Sequence, residues 1–254
     1  QLLGRSWVTQ EANVSLRRDA VGLVADISLA LDVPGRQTEI SATIGYQTAG
    51  RRLDMTVNFS EVSPAVFSSM YYELGPLRAF ALPLKGTVTV GMSLDGIIEA
   101  ANFNLSGGRG VLNLPSPFKQ SLPVNGVSLK GIYEGGEDRF DIEEMNIDLG
   151  PKGSLLLPAP IGHKMPLASL SLKGRYLGKT GRLEITDIVA DLGGPSAKAS
   201  AVVDGFGGIQ DIATANMSID FKGSIKGVAV DQLDRYWPVA FGTDAHRWIM
   251  AHFS

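Results

Sequence analysis

Apolar and polar residues alternate along most of this chain. Leu53, Met55, Val57 and Phe59 are separated from one another by single polar residues. Side chains on a β-strand point alternately to its two faces, so this alternation predicts strands with one apolar and one polar face. The same pattern recurs in residues 38–48, 88–94, 98–106, 182–192 and 217–225.

The segments between these strands have the composition of tight turns. They contain the pairs Ala49-Gly50, Asp95-Gly96, Gly135-Gly136, Gly193-Gly194 and Asp204-Gly205. Such pairs favour the backbone conformations of short hairpin turns. Because short strands joined by tight turns pair with their chain neighbours, we expect a mainly β fold built as an antiparallel meander rather than from strand-helix-strand units.

One segment occurs twice, 43 residues apart, at residues 126–150 and 169–193. Leu129-Lys130-Gly131-x-Tyr133 returns as Leu172-Lys173-Gly174-x-Tyr176, and Asp148-Leu149-Gly150 returns as Asp191-Leu192-Gly193. A fixed period without a catalytic residue inside it indicates a surface built by stacking one small unit. Fainter copies of the first motif are Leu84-Lys85-Gly86 and Phe221-Lys222-Gly223.

Both copies interrupt the alternation at the same point. The interruption falls at Glu143-Glu144 in the first copy and at Thr186-Asp187 in the second. An extra residue at a fixed position predicts a β-bulge, which bends a strand and increases its twist. A turn between two shorter strands would break the alternation in the same way.

Two segments depart from the strand pattern. Ser63-Pro64 has the composition of a helix start, and a second short turn is predicted at 76–80. A helix, a break at Pro238 and a second helix are predicted in 230–253, with Tyr236, Trp237 and Trp248 packing these helices against the sheet. The predicted organisation is N-terminal strands at 1–62, a helical insertion at 63–82, repeated β units at 83–229 and a C-terminal helical segment at 230–254.

Composition narrows the function classes. The 254 residues carry a net charge of −3 with no basic stripe, which argues against binding nucleic-acid phosphates. Cysteine is absent, so disulfides and thiol chemistry are excluded. No stretch of about 18 apolar residues is present to span a bilayer as a helix. We expect a piece of a longer protein whose targeting or anchoring sequence lies outside this chain.

Candidate catalytic groups are few, and we expect neither enzymatic activity nor a cofactor. His163, His246 and His252 lack the spacing of a metal site. Residues 107–110 are glycine-rich but are not followed by the Lys-Ser/Thr of a phosphate-binding loop. The carboxylates of residues 141–148 lie on or beside the polar side of an alternating strand, where a solvated face is the simpler interpretation.

The apolar faces have two interpretations. They form the dry core of a closed, purely structural repeat that spaces partners in the cell envelope, or they line an open groove that holds an apolar ligand. Composition does not separate these two alternatives. A third hypothesis, a glycan-binding module, needs exposed aromatic residues along a polar cleft, whereas aromatic residues make up only 7% of the chain.

Several short motifs point to one family. They are Phe59-Ser60 through Ser63-Pro64, Leu82-Pro83 before Leu84-Lys85-Gly86 and its alternating strands, the strand-Gly-Tyr repeats, and Asp234-Arg235-Tyr236-Trp237-Pro238 followed by Trp248. With these motifs the chain resembles the AsmA-like proteins of Gram-negative bacteria, most closely the YhdP branch. The resemblance covers the chain from about residue 50 onward.

This resemblance implies an elongated, twisted and curled antiparallel sheet with a hydrophobic concave face, as in bridge-like lipid transfer proteins. Such proteins are anchored in the inner membrane, cross the periplasm and move phospholipid toward the outer membrane. The implied partners are phospholipid and inner-membrane proteins, with outer-membrane proteins as a further option. The predicted groove-lining residues are Met55, Val57, Phe59, Val88, Val90, Met92, Leu94, Phe140, Ile142, Met145, Ile147, Leu183, Ile185, Ile188, Met217, Ile219 and Phe221.

Overall fold

A computed structural model of the chain describes most of its residues. The described residues are 8–18, 20, 22–33, 36–48, 50–66, 77–114, 118–159, 161–206, 217–237 and 242–253. The fold is mainly β, with a large antiparallel sheet and a few short helices.

Twelve strands form the large sheet. They are β1 (Val8–Arg18), β2 (Gly22–Val33), β3 (Arg36–Gln47), β4 (Arg52–Val62), β6 (Leu84–Ser93), β7 (Ile98–Gly107), β10 (Gly126–Glu134), β11 (Arg139–Asp148), β14 (Ser169–Leu177), β15 (Arg182–Asp191), β16 (Ser196–Asp204) and β17 (Ser218–Lys226). Five shorter strands form two small sheets. They are β5 (Phe80–Ala81), β8 (Gly110–Leu114) and β9 (Gln120–Val124) in one, and β12 (Ser154–Leu156) and β13 (Lys164–Pro166) in the other.

The large sheet follows chain order, β1-β2-β3-β4-β6-β7-β10-β11-β14-β15-β16-β17, and every neighbouring pair is antiparallel. This confirms the antiparallel arrangement predicted from the alternation. The sheet is not closed, because β1 and β17 each have one neighbour among the described strands.

The ends of the strands form two opposite borders of the large sheet, and these borders differ. At one edge, which we call the hairpin edge, short turns join β6 to β7, β10 to β11 and β14 to β15. At the other, the connection edge, the chain leaves the sheet for longer excursions that contain β5, the β8–β9 hairpin and the β12–β13 hairpin. Neighbouring turns of the hairpin edge are hydrogen-bonded, since Gly135 N–H donates to Glu99 O at 2.7 Å and Gly178 N–H donates to Asp138 O at 2.7 Å.

The register of the sheet shifts where the sequence interrupts its alternation. Lys130 pairs with Glu144 whereas Gly131 pairs with Ile142, so Glu143 is the extra residue of β11. In β15 the corresponding shift leaves Thr186 as the extra residue opposite β14. The predicted bulges are therefore confirmed, and the alternative of a turn between two shorter strands is excluded.

The glycine of the Leu-Lys-Gly motif faces the strand that carries the bulge. A Cβ atom at Gly174 would lie 2.4 Å from Glu184 O, and one at Gly131 would lie 2.9 Å from Asp141 O. Real side chains do not approach backbone this closely, so only glycine fits beside the bulged strand. This close approach explains why the motif recurs with the bulge.

Two buried clusters lie at the connection edge. In the first, the β5-β8-β9 sheet packs against the ends of the large-sheet strands through Leu82, Leu84, Leu112, Leu122 and Val124. The second cluster joins the β12–β13 hairpin and the C-terminal segment to β14, β15 and β16. Its buried residues are Leu167, Ala190, Leu192 and Tyr236.

The Asp-Leu-Gly motif forms the same turn in both copies. Asp191 Oδ1 accepts a hydrogen bond from Gly193 N–H at 2.8 Å, and Asp148 Oδ1 accepts one from Gly150 N–H at 2.8 Å. Both glycines have a positive φ, 79° and 78°, which favours glycine. The middle residue Leu192 is 1% exposed, so each turn inserts a leucine into the buried clusters.

The predicted helical segments are present as short elements. A 3-10 turn spans Pro64–Val66, and residues 67–76 of the predicted helix lie outside the described residues. The C-terminal part contains α1 (Leu233–Tyr236) and α2 (Thr243–Phe253), while Pro238 lies outside the described residues. None of the helices described is long and apolar enough to cross a membrane.

Candidate functional site: the apolar face of the large sheet

Three continuous rows of side chains cross the apolar face from β1 to β17. Each row joins residues that are directly paired between neighbouring strands, and such pairs share one face of the sheet. The Leu16 row is Leu16, Ala25, Ile44, Met55, Val90, Ala101, Tyr133, Phe140, Tyr176, Leu183, Val203 and Ile219. The Val14 row is Val14, Ile27, Ala42, Val57, Val88, Phe103, Gly131, Ile142, Gly174, Ile185, Ala201 and Phe221. The Ala12 row is Ala12, Leu29, Ile40, Phe59, Gly86, Leu105, Leu129, Met145, Leu172, Ile188, Ala199 and Gly223.

The three rows are chemically uniform. The rows take three residues from each of the twelve strands, and none of these residues has a charged, amide or aliphatic hydroxyl side chain. Two tyrosine hydroxyls are the exception, and both are hydrogen-bonded at the hairpin edge, from Tyr133 to Asp138 at 3.2 Å and from Tyr176 to Phe206 O at 3.3 Å. With strands about 4.8 Å apart, the rows extend over roughly 53 Å across the sheet.

A fourth row lies nearer the connection edge and is covered. It includes Leu84, Val127, Ile147, Leu170, Ala190 and Ala197. These residues pack in the two buried clusters beneath the small sheets and Tyr236. Of the other three rows, only Phe59 takes part in either cluster.

Burial varies along the three rows, and Val90, Ala101, Ala201 and Val203 are buried. On interior strands most row residues are half-buried, whereas Val14 and Leu16 on β1 are 71% and 72% exposed. Ile219 and Phe221 on β17 are 62% and 63% exposed. A layer that covered the whole apolar face would also bury these residues at the ends of the rows. The rows are therefore an open apolar surface at both lateral ends of the sheet.

The structure places the predicted lining residues mostly on this apolar face. Fourteen of the seventeen lie in the three rows or directly beside them, and Ile147 lies in the covered fourth row. Leu94 lies in the turn after β6 and is 42% exposed, and Met217 precedes β17. The structure therefore brings together fifteen of these residues on one face and leaves Leu94 and Met217 outside the strands.

More than half of the row residues were missed by the sequence prediction. The alternation in 38–48 and 98–106 was recognised, yet Ile40, Ile44 and Phe103 were not assigned to the lining. The row residues of β16 are Ala199, Ala201 and Val203, which are small and give a weak apolar signal. Extending the apolar side of each recognised alternating segment would have found Ile40, Ile44 and Phe103.

A second motif marks the polar face at the hairpin edge. Three strands begin with an arginine followed two residues later by a carboxylate, and in each the arginine Nε donates to that carboxylate. The pairs are Arg52 and Asp54 at 2.8 Å, Arg139 and Asp141 at 2.9 Å, and Arg182 and Glu184 at 2.8 Å. The sequence analysis missed this signal. This motif marks the start of β4, β11 and β15. Its guanidinium groups are bound to carboxylates of the same strands.

The carboxylates around these arginines affect their ionisation. A hydrogen bond with Asp141 is the main cause that raises the pKa of Arg139, and Glu134 and Glu137 add to it. Hydrogen bonds with Glu184 and then Asp204 raise the pKa of Arg182. Burial, followed by the hydrogen bond with Asp138, raises the pKa of the Tyr133 phenol. All three groups stay in their protonated form near neutral pH.

The depressions that the structure describes lie on the polar face. One of about 450 Å³ lies between β1 and β4 and is bordered by Glu11, Asn13, Ser41 and Asn58. Another of about 350 Å³ is bordered by Arg139, Glu143 and other charged residues of β11, β14 and β15. Both are shallow and polar. An apolar ligand would therefore use the open surface of the three rows rather than one of these depressions.

The histidines that the structure describes make backbone contacts. His163 Nε2 lies 3.0 Å from Arg235 O and links the β12–β13 hairpin to α1. His252 Nδ1 lies 2.8 Å from Trp248 O, and its ring stacks on Trp248 at 4.7 Å. Tyr236 is 2% exposed, as predicted for a packing residue, but Trp248 is 57% exposed, so the prediction that it packs against the sheet is wrong.

The three rows are bordered on one side by two small sheets and are exposed at both lateral ends. Their length, their lack of polar groups and their position on a single face identify them as the candidate site. Comparison of the chain with known protein families, with curated proteins and with solved structures gave no match.

Proposed function

We propose that the three apolar rows hold the acyl chains of phospholipid, and that this chain is one segment of a bridge-like protein carrying lipid between the inner and outer membranes. One observation carries the proposal. Thirty-six paired positions, three on each of twelve strands, form one continuous apolar surface, of which only Phe59 belongs to the buried clusters beneath the small sheets. The sequence resemblance to AsmA-like proteins supports the same function.

The energetics of lipid transfer favour such a surface. Each methylene kept from water contributes about 0.8 kcal/mol, so two acyl chains of about 16 carbons cost on the order of 20 kcal/mol to expose. A continuous apolar row shields these chains at every strand. Because the rows contain no isolated polar group to form a deep trap, the lipid slides from strand to strand while its headgroup stays in water.

Differences in exposure support a sheet curled toward its apolar face. In β3, Ile40 and Ile44 are half-buried although no described layer covers them, whereas Ser41 and Thr43 on the other face are exposed. Side chains converge on the concave side of a curved sheet and diverge on the convex side. The bulges of β11 and β15 would add to this curvature, since bulged strands bend.

The same proposal assigns the chain to the periplasm, as part of a protein anchored in the inner membrane. It gives the chain no catalytic role, and Arg139 and Arg182 of the polar face are bound to neighbouring carboxylates. Its partners are phospholipid and the membrane proteins at the ends of the bridge.

Mass spectrometry of bound lipid tests this function. The chain is purified without detergent from a Gram-negative host, and its organic extract is analysed. We expect phospholipid in stoichiometric amount, and we expect Ile142→Asp to lose it while circular dichroism still shows a folded β protein. Ile142 is half-buried, so a new carboxylate there reaches water.

A matched control uses the opposite face of the sheet. Thr89 lies beside Val90 on β6 but on the polar face, where it pairs with Thr56 and Asn102. Thr89→Asp should therefore retain the lipid, whereas Val88→Asp, at the half-buried neighbour of Thr89 on the apolar face, should lose it. A folded protein whose extract contains no lipid would contradict the proposal.

A structural role without a ligand is the second candidate. It is favoured by the region around Val90 and Ala101, which are 8% and 3% exposed and so resemble a closed core. A closed repeat predicts that Val88→Asp and Ile142→Asp both unfold the protein and that the wild-type extract is free of lipid. The same two variants therefore separate the two functions.

A further inference from the structure

Among the described strands, β17 is the outermost on its side of the large sheet. All nine of its residues are exposed, and among the described strands β16 is its only neighbour. An edge strand presents unpaired backbone N–H and C=O groups, and proteins usually protect it with proline, a bulge or charged side chains, lysine in particular. β17 contains no proline and pairs with β16 without a register shift. It carries Lys222 and Lys226, and it carries Ile219 and Phe221 on its apolar face.

The sequence of β17 is complementary to itself about Phe221. Asp220 precedes this residue and Lys222 follows it. If two copies pair in antiparallel orientation about a two-fold axis at Phe221, the Asp220 of each copy lies opposite the Lys222 of the other. Phe221 then lies opposite Phe221, and Ile219 lies opposite Gly223. Opposite charges and aromatic pairs at directly opposed positions stabilise antiparallel strands.

The charges of β17 have no competing partner within the sheet. Asp220 pairs with Val202 of β16, and Lys222 pairs with Ser200, so neither faces an opposite charge. Neither residue forms an ion pair within the described part of the chain. At the other open edge, Arg17 of β1 already lies 3.6 Å from Asp26.

We propose that two copies of this chain associate through β17, in antiparallel register centred on Phe221. The interface is isologous, so each copy contributes the same strand and the association closes as a dimer. Directly opposed residues share a face, and the Val14 row therefore continues through Phe221 into the second copy. The two large sheets join into one, and their apolar faces remain on the same side.

Cysteine cross-linking tests the register. The chain contains no cysteine, so a single introduced thiol reports only on its own position. Phe221→Cys places two thiols opposite each other on the axis, within the Cβ separation of opposed strand residues, and should form a disulfide-linked dimer under mild oxidation. Ile219→Cys is the matched control, because its partner across the axis is Gly223 and the two thiols stay apart.

The outcomes of the cross-linking are distinct. Selective dimerisation of Phe221→Cys supports the proposed register. Equal cross-linking of both variants, or none in either, overturns it. Pairing of β17 with the β1 edge of a second copy would leave both single variants monomeric and cross-link only a mixture of Phe221→Cys with Val14→Cys.

Charge reversal tests the same interface without a covalent bond. In Lys222→Asp or Asp220→Lys, like charges lie opposite each other on both sides of the two-fold axis. Either variant should weaken the dimer roughly tenfold or more. The double variant with both changes restores the opposite pairs and should recover the wild-type dissociation constant in sedimentation equilibrium. A monomeric wild-type chain, or a double variant no better than the single ones, would refute the proposal. Either result leaves the lipid hypothesis standing, because association is measured without lipid.

Discussion

The rings of Phe103 and Phe140 meet above Gly131, across the strand that separates them. Their centroids are 5.7 Å apart and their planes are inclined by 65°, an edge-to-face contact. Phe103 belongs to β7 and Phe140 to β11, and both flank β10, where Gly131 pairs directly with Phe103. The missing side chain of Gly131 leaves the space into which the Phe140 ring leans, so one glycine serves both the bulge and the aromatic contact.

Replacement of Gly131 by alanine should destabilise the fold. The new Cβ would lie 2.9 Å from Asp141 O and 2.9 Å from the Phe140 ring, so the backbone or the ring must move. We expect a loss of about 1–3 kcal/mol in the free energy of unfolding, measured by urea denaturation. Gly136→Ala is the control, since a Cβ there has no heavy atom within 4 Å, and it should leave the midpoint almost unchanged.

Leu192 should contribute far more to stability than an exposed leucine of the neighbouring hairpin. It is 1% exposed in the cluster with Tyr236 and Leu167, and Leu192→Ala leaves a cavity there. The expected loss is about 2–5 kcal/mol in the free energy of unfolding. Leu156 is 46% exposed, so Leu156→Ala should cost about 0.5 kcal/mol. Similar urea midpoints for the two variants would contradict the assignment of this cluster.

The Asp191 carboxylate should stabilise its turn as a hydrogen-bond acceptor rather than as a charge. Asp191→Ala leaves Gly193 N–H without its 2.8 Å partner and should cost about 0.5–1.5 kcal/mol. Asp191→Asn keeps an acceptor oxygen and should retain most of the stability. Thermal unfolding of the two variants tests this, and an asparagine variant as weak as the alanine one would show that the charge matters instead.

Tyr133 should make stability fall at alkaline pH. Burial and the hydrogen bond to Asp138 raise the pKa of its phenol, so the folded state favours the neutral form. This contribution is present below the unfolded pKa of about 10 and is lost as pH rises through the raised folded pKa. Tyr133→Phe should therefore lose less stability than the wild type above about pH 10, measured as the melting temperature against pH, with Tyr46→Phe as the comparison. An identical alkaline decline in the wild type and Tyr133→Phe would contradict it.

The faces of the strands were predictable because strand geometry is local. Phe140, Ile142, Met145 and Ile147 fall on one face since side chains alternate along a strand, and the break at Glu143-Glu144 marks the bulge. The Asp-Leu-Gly turns follow from the sequence for the same reason, as each depends on a side chain and a backbone N–H two residues apart.

The limits of strands were less predictable. Leu94 continues the alternation of β6 in the sequence, but β6 ends at Ser93 because the chain turns at Asp95-Gly96. The prediction for Trp248 failed for a related reason. An aromatic residue on a short helix is equally compatible with packing and with exposure, and the contact that decides between them is distant in sequence.

The sequence by itself determined the alternating strands, their apolar and polar faces and the tight turns, because each depends on residues within a few positions of one another. The tertiary structure decided the register in which the twelve strands pair, so that thirty-six separate apolar positions become three unbroken rows. It also decided that the breaks in β11 and β15 are bulges rather than turns. The small sheets and Tyr236 cover the connection edge, and β17 is left with one neighbour among the described strands. These features depend on contacts between separate strands, and such contacts are fixed by packing of the whole sheet rather than by any local pattern.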